Sequence, residues 1–406
     1  MSLLDRMFWI AKEEEIKKAE TTDVYFSYTK KVLEKYGLHR KVIMEVYARN
    51  LPFEGNWGVL LGVHDCIKLL EGLPFNVKSM CEGEIFQVNP KSVVYEPVMQ
   101  IECYYDEFCL YENPLLGLLA ENTGIASKAA RYRLIAGNKI LFSFGSRRIH
   151  PVLAPASERA TYIAGFDGVS NILAAKLIGI KPVGTMPHAL IQVFGDQKEA
   201  WKAFDSTLSE DVPRIALIDT FYDEKAEAIM ALETLGEKLA GVRLDTPRSR
   251  RGEWRKIIEE VRWELNVRGG KNVKIFVSGS IDEKIIQELS DIVDGFGIGA
   301  SVSAAPPVDF SAKIVAIEVD GKMKPIAKRG DIGGAKSVYR DWDSFTDYVV
   351  LRGSKPLSEK CTPLLEDVIV DGKVVRELED TKRIREKVLQ KISKLRSVQP
   401  KIVYIV

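Results

Sequence analysis

The chain has 406 residues, 46% hydrophobic and 28% charged, with 58 Lys and Arg against 57 Asp and Glu. A formal net charge of +1 gives no field for gripping nucleic acid. No apolar run reaches the ~20 residues that span a bilayer, Met1–Arg6 turns charged too early for a secretory signal, and five scattered cysteines are too few for a disulfide scaffold. A cytoplasmic protein of two or three domains is expected, with neither membrane nor nucleic acid as partner.

Residues 1–45 are polar and helix-prone, with helical patterns at Lys12–Ala19 and Thr29–Tyr36 around an insert, Thr21–Phe26. From Val46 the pattern becomes strand-like: Glu45–Arg49, Val59–Val63, Glu84–Val88 and Val98–Glu102 alternate as in a half-buried sheet with helices on one face. Pro114 then opens a long helix through about Ala136, with proline early in the first turn. Six short apolar runs follow: Leu141–Phe144, Pro182–Thr185, Ile215–Ile218, Gly241–Leu244, Val273–Val277 and Ile292–Phe296. Helical stretches lie between them, at Ser157–Ile178, Pro187–Ala203, Glu224–Leu239, Glu253–Asn266 and Asp282–Leu289. Strands alternating with helices form parallel sheets. Six is short of a complete barrel, so the expected fold is α/β: an irregular or incomplete TIM-like barrel beside an α/β sandwich domain. The expected divisions are residues 1–113, joined by about 306–339; a barrel over 114–305; and a small C-terminal appendage over 340–406.

In such a barrel the loops after the strands meet at one rim, where ligands bind. On that rim fall Arg147 with Arg148, Thr185 with His188, Asp219 with Thr220, Arg243 with Asp245, Ser278-Gly279-Ser280 and Gly297-Ile298-Gly299. Arginines, carboxylates and two glycine turns describe a site for an anionic, phosphorylated substrate. A lone Gly-X-Gly can be a mere tight turn, but with Ser278-Gly279 one strand earlier phosphate binding is favoured. Ser280 also begins a Ser-Ile-Asp-Glu capping box, which would occupy its hydroxyl. Arg243 and Asp245 project to the same side of a strand end. They are either a surface ion pair or, as we favour, ligand groups, because charges between Val242 and Leu244 are costly unless they face a ligand. His188 lies just inside a helix start, where the positive helix end lowers an imidazole pKa and favours a phosphoryl group; a solvated or core histidine is the plain alternative. Phe144 beside Arg147 and Arg148 suits a flat acidic ring.

With these clusters in order, the chain resembles the type II phosphoribosyltransferases, most closely the archaeal-type nicotinate phosphoribosyltransferases. The resemblance covers about residues 8–340 and rests on Thr22–Tyr25, Phe144–Arg148, Phe166–Asn171, Gly184–His188, Asp219–Asp223, Arg243–Thr246 and the two glycine turns. It implies that nicotinate, phosphoribosyl pyrophosphate (PRPP) and ATP are substrates and that Mg2+ accompanies PRPP. Phe144 and Tyr25, the latter from a neighbouring subunit with Asp23, would enclose the pyridine. Arg147 and Arg148 would take its carboxylate, with Ser170, Thr185, Asp219 and Thr220 completing the substrate site. Arg243 and Asp245 would hold PRPP, and Ser278, Gly279, Gly297 and Gly299 its 5-phosphate. His188 matches the histidine that relatives phosphorylate from ATP. Homodimers or larger assemblies with shared sites are implied. Only Cys361 lies where some relatives carry a cysteine cluster, so zinc is not expected.

The nearest rival is quinolinate phosphoribosyltransferase, which must bind a second carboxylate and lacks a use for His188. Nicotinamide, being neutral, would not call for Arg148. A barrel lyase or aldolase would need a Schiff-base lysine at a strand end, whereas Lys274 sits mid-strand. A non-catalytic nucleotide sensor would bind PRPP and turn nothing over.

Overall fold

Successive side chains of Lys41–Ala48 point to opposite faces, and both faces are covered. Val42, Met44, Val46 and Ala48 enter the main hydrophobic core, while Ile43 meets Val315 and Ala316 on the other side. This strand, seen in a computed structural model that describes residues 6–354, 356 and 358–406, lies in the middle of a seven-stranded antiparallel sheet. The sheet's order is Lys322–Pro325, Phe310–Val319, Lys41–Ala48, Met99–Tyr104, Asn76–Ser79, Glu366–Val370 and Lys373–Val374. Residues 1–127 and 306–406 form one compact unit, and residues 128–305 a second.

Two expected boundaries move. The helix Glu112–Ala136 has Pro114 in its first turn but runs across the division: Leu115 and Leu119 join the first unit's core, while Arg133 pairs with Asp167 in the second. The domain break therefore falls within this helix, after residue 127 rather than 113. Residues 340–406 are not an appendage either. Glu366–Val370 pairs with Asn76–Ser79, and the fully buried Arg340, a residue of the four-stranded sheet Cys361–Pro363, Lys336–Asp341, Thr346–Leu351 and Lys401–Ile405, bonds Asp347 on the adjacent strand and Glu84. A buried guanidinium with its carboxylates satisfied locks this segment into the first unit.

The second unit is built on parallel strands β1 (Ile140–Ser143), β2 (Gly168–Val169), β3 (Arg214–Leu217), β4 (Leu239–Leu244), β5 (Lys274–Ser278) and β6 (Gly295–Ile298). Their order is β2-β1-β6-β5-β4-β3. Among the described residues β2 and β3 do not pair, so the sheet is a partial barrel. The expected strand at Pro182–Thr185 does not form. Pro182 has no N–H to donate, and only Val183 bonds back to Val169, at 2.9 Å. The strand at this place in the order is instead the short β2, inside a stretch read as one helix. Gly165, at φ 115°, ends the helix Ala154–Ile163, and Asn171 caps the next, Ile172–Ile178. The stretch Pro187–Ala203 likewise breaks at Gly195, φ 72°, into His188–Phe194 and Gln197–Thr207. Among the described residues no helix is long and apolar enough to cross a membrane.

Candidate active site

Parallel strands deliver their C-terminal ends to one edge, and four of them line a cavity of about 570 Å3. β1 supplies Phe144, Arg147 and Arg148; β4 supplies Arg243 and Asp245; β5 leads to Ser278, Gly279 and Ser280; β6 contributes Gly297 and, past it, Gly299. Ser170, Thr185 and His188 come from the loops after β2.

Ser278 links the charged pair of β4. Arg243 donates to its Oγ at 3.3 Å, and that hydroxyl donates to Asp245 Oδ1 at 2.8 Å. Arg243 also donates to the Met186 carbonyl at 3.0 Å and lies 5.8 Å from the centroid of the Phe144 ring. Its Nε is buried without a hydrogen-bond partner among the described residues, which leaves donor capacity for a ligand. Burial lowers the Arg243 pKa against the pull of Asp245 and Asp219, yet a guanidinium remains charged.

Asp219 follows β3. Its Oδ2 accepts from the Asp245 N–H at 2.6 Å, while its buried Oδ1 has no hydrogen-bond partner among the described residues. Burial pushes this carboxyl up to about 6, with His188 and the Asp245 N–H opposing. Burial also raises Asp245, but the neighbouring His188 imidazole, the hydrogen bond from Ser278 and the charge of Arg243 outweigh it and hold Asp245 below its usual value. Two neighbouring carboxyls are thus driven apart in acidity.

His188 Nε2 sits 3.7 Å from both Asp219 Oδ1 and Asp245 Oδ2, and Nδ1 lies 3.0 Å from Thr220 Oγ1. Its pKa is raised, first by the close approach of the Asp245 carboxylate, then, against burial, by the charges of Asp219 and Asp245. The expected lowering by the helix end is overturned: two carboxylates outweigh the N-terminus of a seven-residue helix.

The glycine turns also differ from expectation. A Cβ on Gly279, φ 84°, would lie 2.9 Å from Asp245 Oδ1, so glycine there lets the carboxylate approach. Ser280 adopts φ 51° and does not cap the next helix; Asp282 does, accepting from the Ile285 N–H at 3.0 Å. Arg147 and Arg148 stand exposed on the 3-10 turn Ser146–Arg148, with no salt-bridge partner among the described residues. Asp23 and Tyr25 belong to the first unit, as N-cap and second residue of the helix Val24–Lys35. They are not among the residues gathered around this cavity.

Three groups escaped sequence reading. Buried Glu227 accepts the N–H groups of Thr220, Phe221 and Tyr222. Arg251 donates to the carbonyls of Thr246 and Gly279, tying the loops after β4 and β5 together. Glu158 is buried, and no full hydrogen bond satisfies either of its carboxyl oxygens among the described residues. An arginine in the Arg248–Arg251 run was the one visible signal; a glutamate within a helix looks in sequence like a surface residue whether or not it is buried. No group of three or more His, Cys, Asp or Glu able to hold a metal ion occurs among the described residues.

Two family models match the chain: the N-terminal domain of quinolinate phosphoribosyl transferase over residues 23–123 and its C-terminal domain over residues 125–313. Nicotinate phosphoribosyltransferase of Bacillus subtilis (strain 168) is 30% identical over 380 residues, covering 81% of this chain and 75% of that protein. The crystal structure of nicotinate-nucleotide pyrophosphorylase from Pyrococcus furiosus is 52% identical with a TM-score of 0.91, covering 96% of this chain and 98% of that one. Human nicotinic acid phosphoribosyltransferase, 21% identical with a TM-score of 0.73 over 94% of this chain and 97% of its own, shares the fold.

Proposed function

The chain belongs to the nicotinate phosphoribosyltransferase family, and from that premise we propose that it joins nicotinate to PRPP, releasing pyrophosphate and forming nicotinate mononucleotide for NAD salvage. The observation that carries this reading is the convergence of Phe144, Arg147 and Arg148 with Arg243, Asp245 and His188 on one cavity. An aromatic face with free guanidinium groups suits a planar carboxylate. The ring nitrogen attacks the anomeric carbon as pyrophosphate leaves, so orientation and charge stabilisation supply the catalysis. Arg243 holds PRPP through its unused Nε–H and neutralises developing charge, while Ser278, Gly279, Gly297 and Gly299 border the 5-phosphate. Ser170 and Thr185 line the same cavity, and Thr220 reaches it through the His188 imidazole.

Asp245, kept ionised, fits a contact to ribose hydroxyls or to water on a Mg2+ ion whose other ligands come from PRPP. Bound with PRPP, Mg2+ would screen the charge on the departing pyrophosphate. ATP drives the reaction by phosphorylating His188. An imidazole must be neutral to accept a phosphoryl group, and Asp219, with its pKa near 6 and its free Oδ1 facing Nε2, is suited to take that proton.

The site is completed by a second copy of the chain. Val24, Tyr25, Tyr28, Val32 and Tyr36 form an exposed apolar stripe along one helix, with Tyr25 53% exposed. Such a face supports a homodimer in which Tyr25 and Asp23 close the partner's pyridine pocket.

The second reading, quinolinate as substrate, is favoured by the two family models and by the name of the Pyrococcus structure. Against it stands His188, which a decarboxylating enzyme would not need between two carboxyls. Product formation from PRPP and Mg2+, with nicotinate or quinolinate and with or without ATP, separates the two. Nicotinate mononucleotide from nicotinate, stimulated by ATP and no longer stimulated in His188→Ala, is the expected result. The same product from quinolinate alone, with carbon dioxide released, would overturn it.

A further inference from the structure

The turn Asp219–Tyr222 carries two groups of the site; the Asp219 carboxyl ties its start to the Asp245 N–H, yet the side chains of its far half do little to hold it: Phe221 is 45% and Tyr222 60% exposed. Its backbone is held from below. Glu227, wholly buried in the helix Glu224–Leu235, accepts the Thr220 N–H at 3.2 Å through Oε2 and the Phe221 and Tyr222 N–H groups at 2.7 and 2.9 Å through Oε1. Asp223 caps the same helix by accepting from the Ala226 N–H at 2.9 Å, which fixes where Glu227 stands. We propose that Glu227 is a positioning residue for the phosphoryl-transfer step, gathering three successive N–H groups so that Thr220 presents its hydroxyl to His188 Nδ1 and orients the imidazole toward Asp219.

The physical ground is the geometry of the acceptors. A carboxylate offers two oxygens and no donor, so it can bind three converging N–H groups; an amide can offer only one oxygen and turns its NH2 against the rest. Charge-assisted bonds of this kind are roughly twice as strong as neutral ones. A ring nitrogen bonded to a fixed hydroxyl keeps one orientation, which sets what the other nitrogen faces.

The inference rests on the proposed phosphorylation of His188, and its test is chosen to fail separately. In the unaltered protein the Phe221 and Tyr222 amides should resist hydrogen exchange despite their exposed side chains; free exchange would overturn the proposal whatever the substrate. In Glu227→Gln, ATP-stimulated kcat should fall at least tenfold with the nicotinate KM within about twofold, and the 15N shift of the His188 ring should move at fixed pH. An unmoved ring signal, or a loss confined to KM, would count against it. Thr220→Val gives the second arm: if Glu227 acts through Thr220, the double variant should lose no more than the worse single variant, whereas multiplied losses would overturn the link. Lack of nicotinate turnover in the unaltered enzyme would strike the functional reading and leave the exchange and ring measurements standing.

Discussion

The Phe144 ring occupies the space that a side chain at Gly297 would need: a Cβ there would lie 2.3 Å from Phe144 Cε2. Phe144 is held at its backbone by a 2.8 Å bond from its N–H to the Ile298 carbonyl, so strand pairing brings the ring over β6. Gly297 therefore serves the ring first. Gly297→Ala should displace Phe144 at a cost of about 1–3 kcal/mol of overpacking and raise the nicotinate KM roughly tenfold, with the PRPP KM changed less. Steady-state kinetics on both substrates check this, and an unchanged nicotinate KM would remove Phe144 from the pyridine pocket.

Asp219 should set the acid limb of turnover. With its carboxyl pushed up to about 6, it holds a proton below that pH and cannot accept one from His188. ATP-stimulated turnover should drop roughly tenfold per pH unit below about 6. The residual ATP-stimulated activity of Asp219→Asn should lose the component near pH 6 and keep the limb of His188, whose imidazole must itself be neutral and whose pKa is raised. An acid limb unchanged in Asp219→Asn would show that Asp219 does not set it.

Glu158 predicts a pH-dependent stability. Burial pushes its carboxyl up to about 7 from an ordinary 4.5, against weaker pulls from the Ser143 hydroxyl and the Ser170 N–H. The folded state then binds the proton more tightly than the unfolded state, so its contribution is full below the ordinary value and is lost as pH rises through about 7. The loss amounts to ~3 kcal/mol at most, by ~1.4 kcal/mol per unit. Glu158→Gln should match the parent in Tm near pH 4 and exceed it by several degrees at pH 8. Thermal unfolding across that range tests it; a pH-independent difference would show that Glu158 does not titrate there.

Shared sites predict complementation. Tyr25→Ala and Arg243→Ala should each be nearly inactive alone. Random reassembly of equal amounts should restore about a quarter of parental activity, since half the dimers are mixed and each mixed dimer has one intact site. No recovery under conditions that exchange subunits would mean that both residues act within one chain.

Much of the site was legible because its chemistry is local. Phe144, Arg147, Arg148, Ser170, Thr185, His188, Arg243, Asp245, Ser278, Gly279, Gly297 and Gly299 all line the cavity; the charged residues after β1 and β4 could be read because such residues directly after an apolar strand have few structural reasons to be there, whereas Ser170 came from the family resemblance and His188 from its helix start. The errors came where local pattern and tertiary demand conflict. Pro182–Thr185 looks like a strand but lacks a donor for the ladder, and Gly168–Val169 is too short to stand out within a helical stretch. The domain break at 127 lies inside a helix that runs on unbroken through Asn122 and Gly124, so no turn marks it.

The sequence by itself determined the alternation of strand and helix, the polar strand ends and the family to which they belong, because periodicity, turn chemistry and residue order are written along the chain. Only the tertiary structure decided the acidities and the support. It brought Asp219, Asp245 and His188 within 3.7 Å although they come from separate loops, and so raised the histidine that its helix alone would have lowered. It also set Glu227 beneath Thr220. Electrostatics and buried hydrogen bonds depend on distance in space and on exclusion of water, and neither is encoded in spacing along the chain.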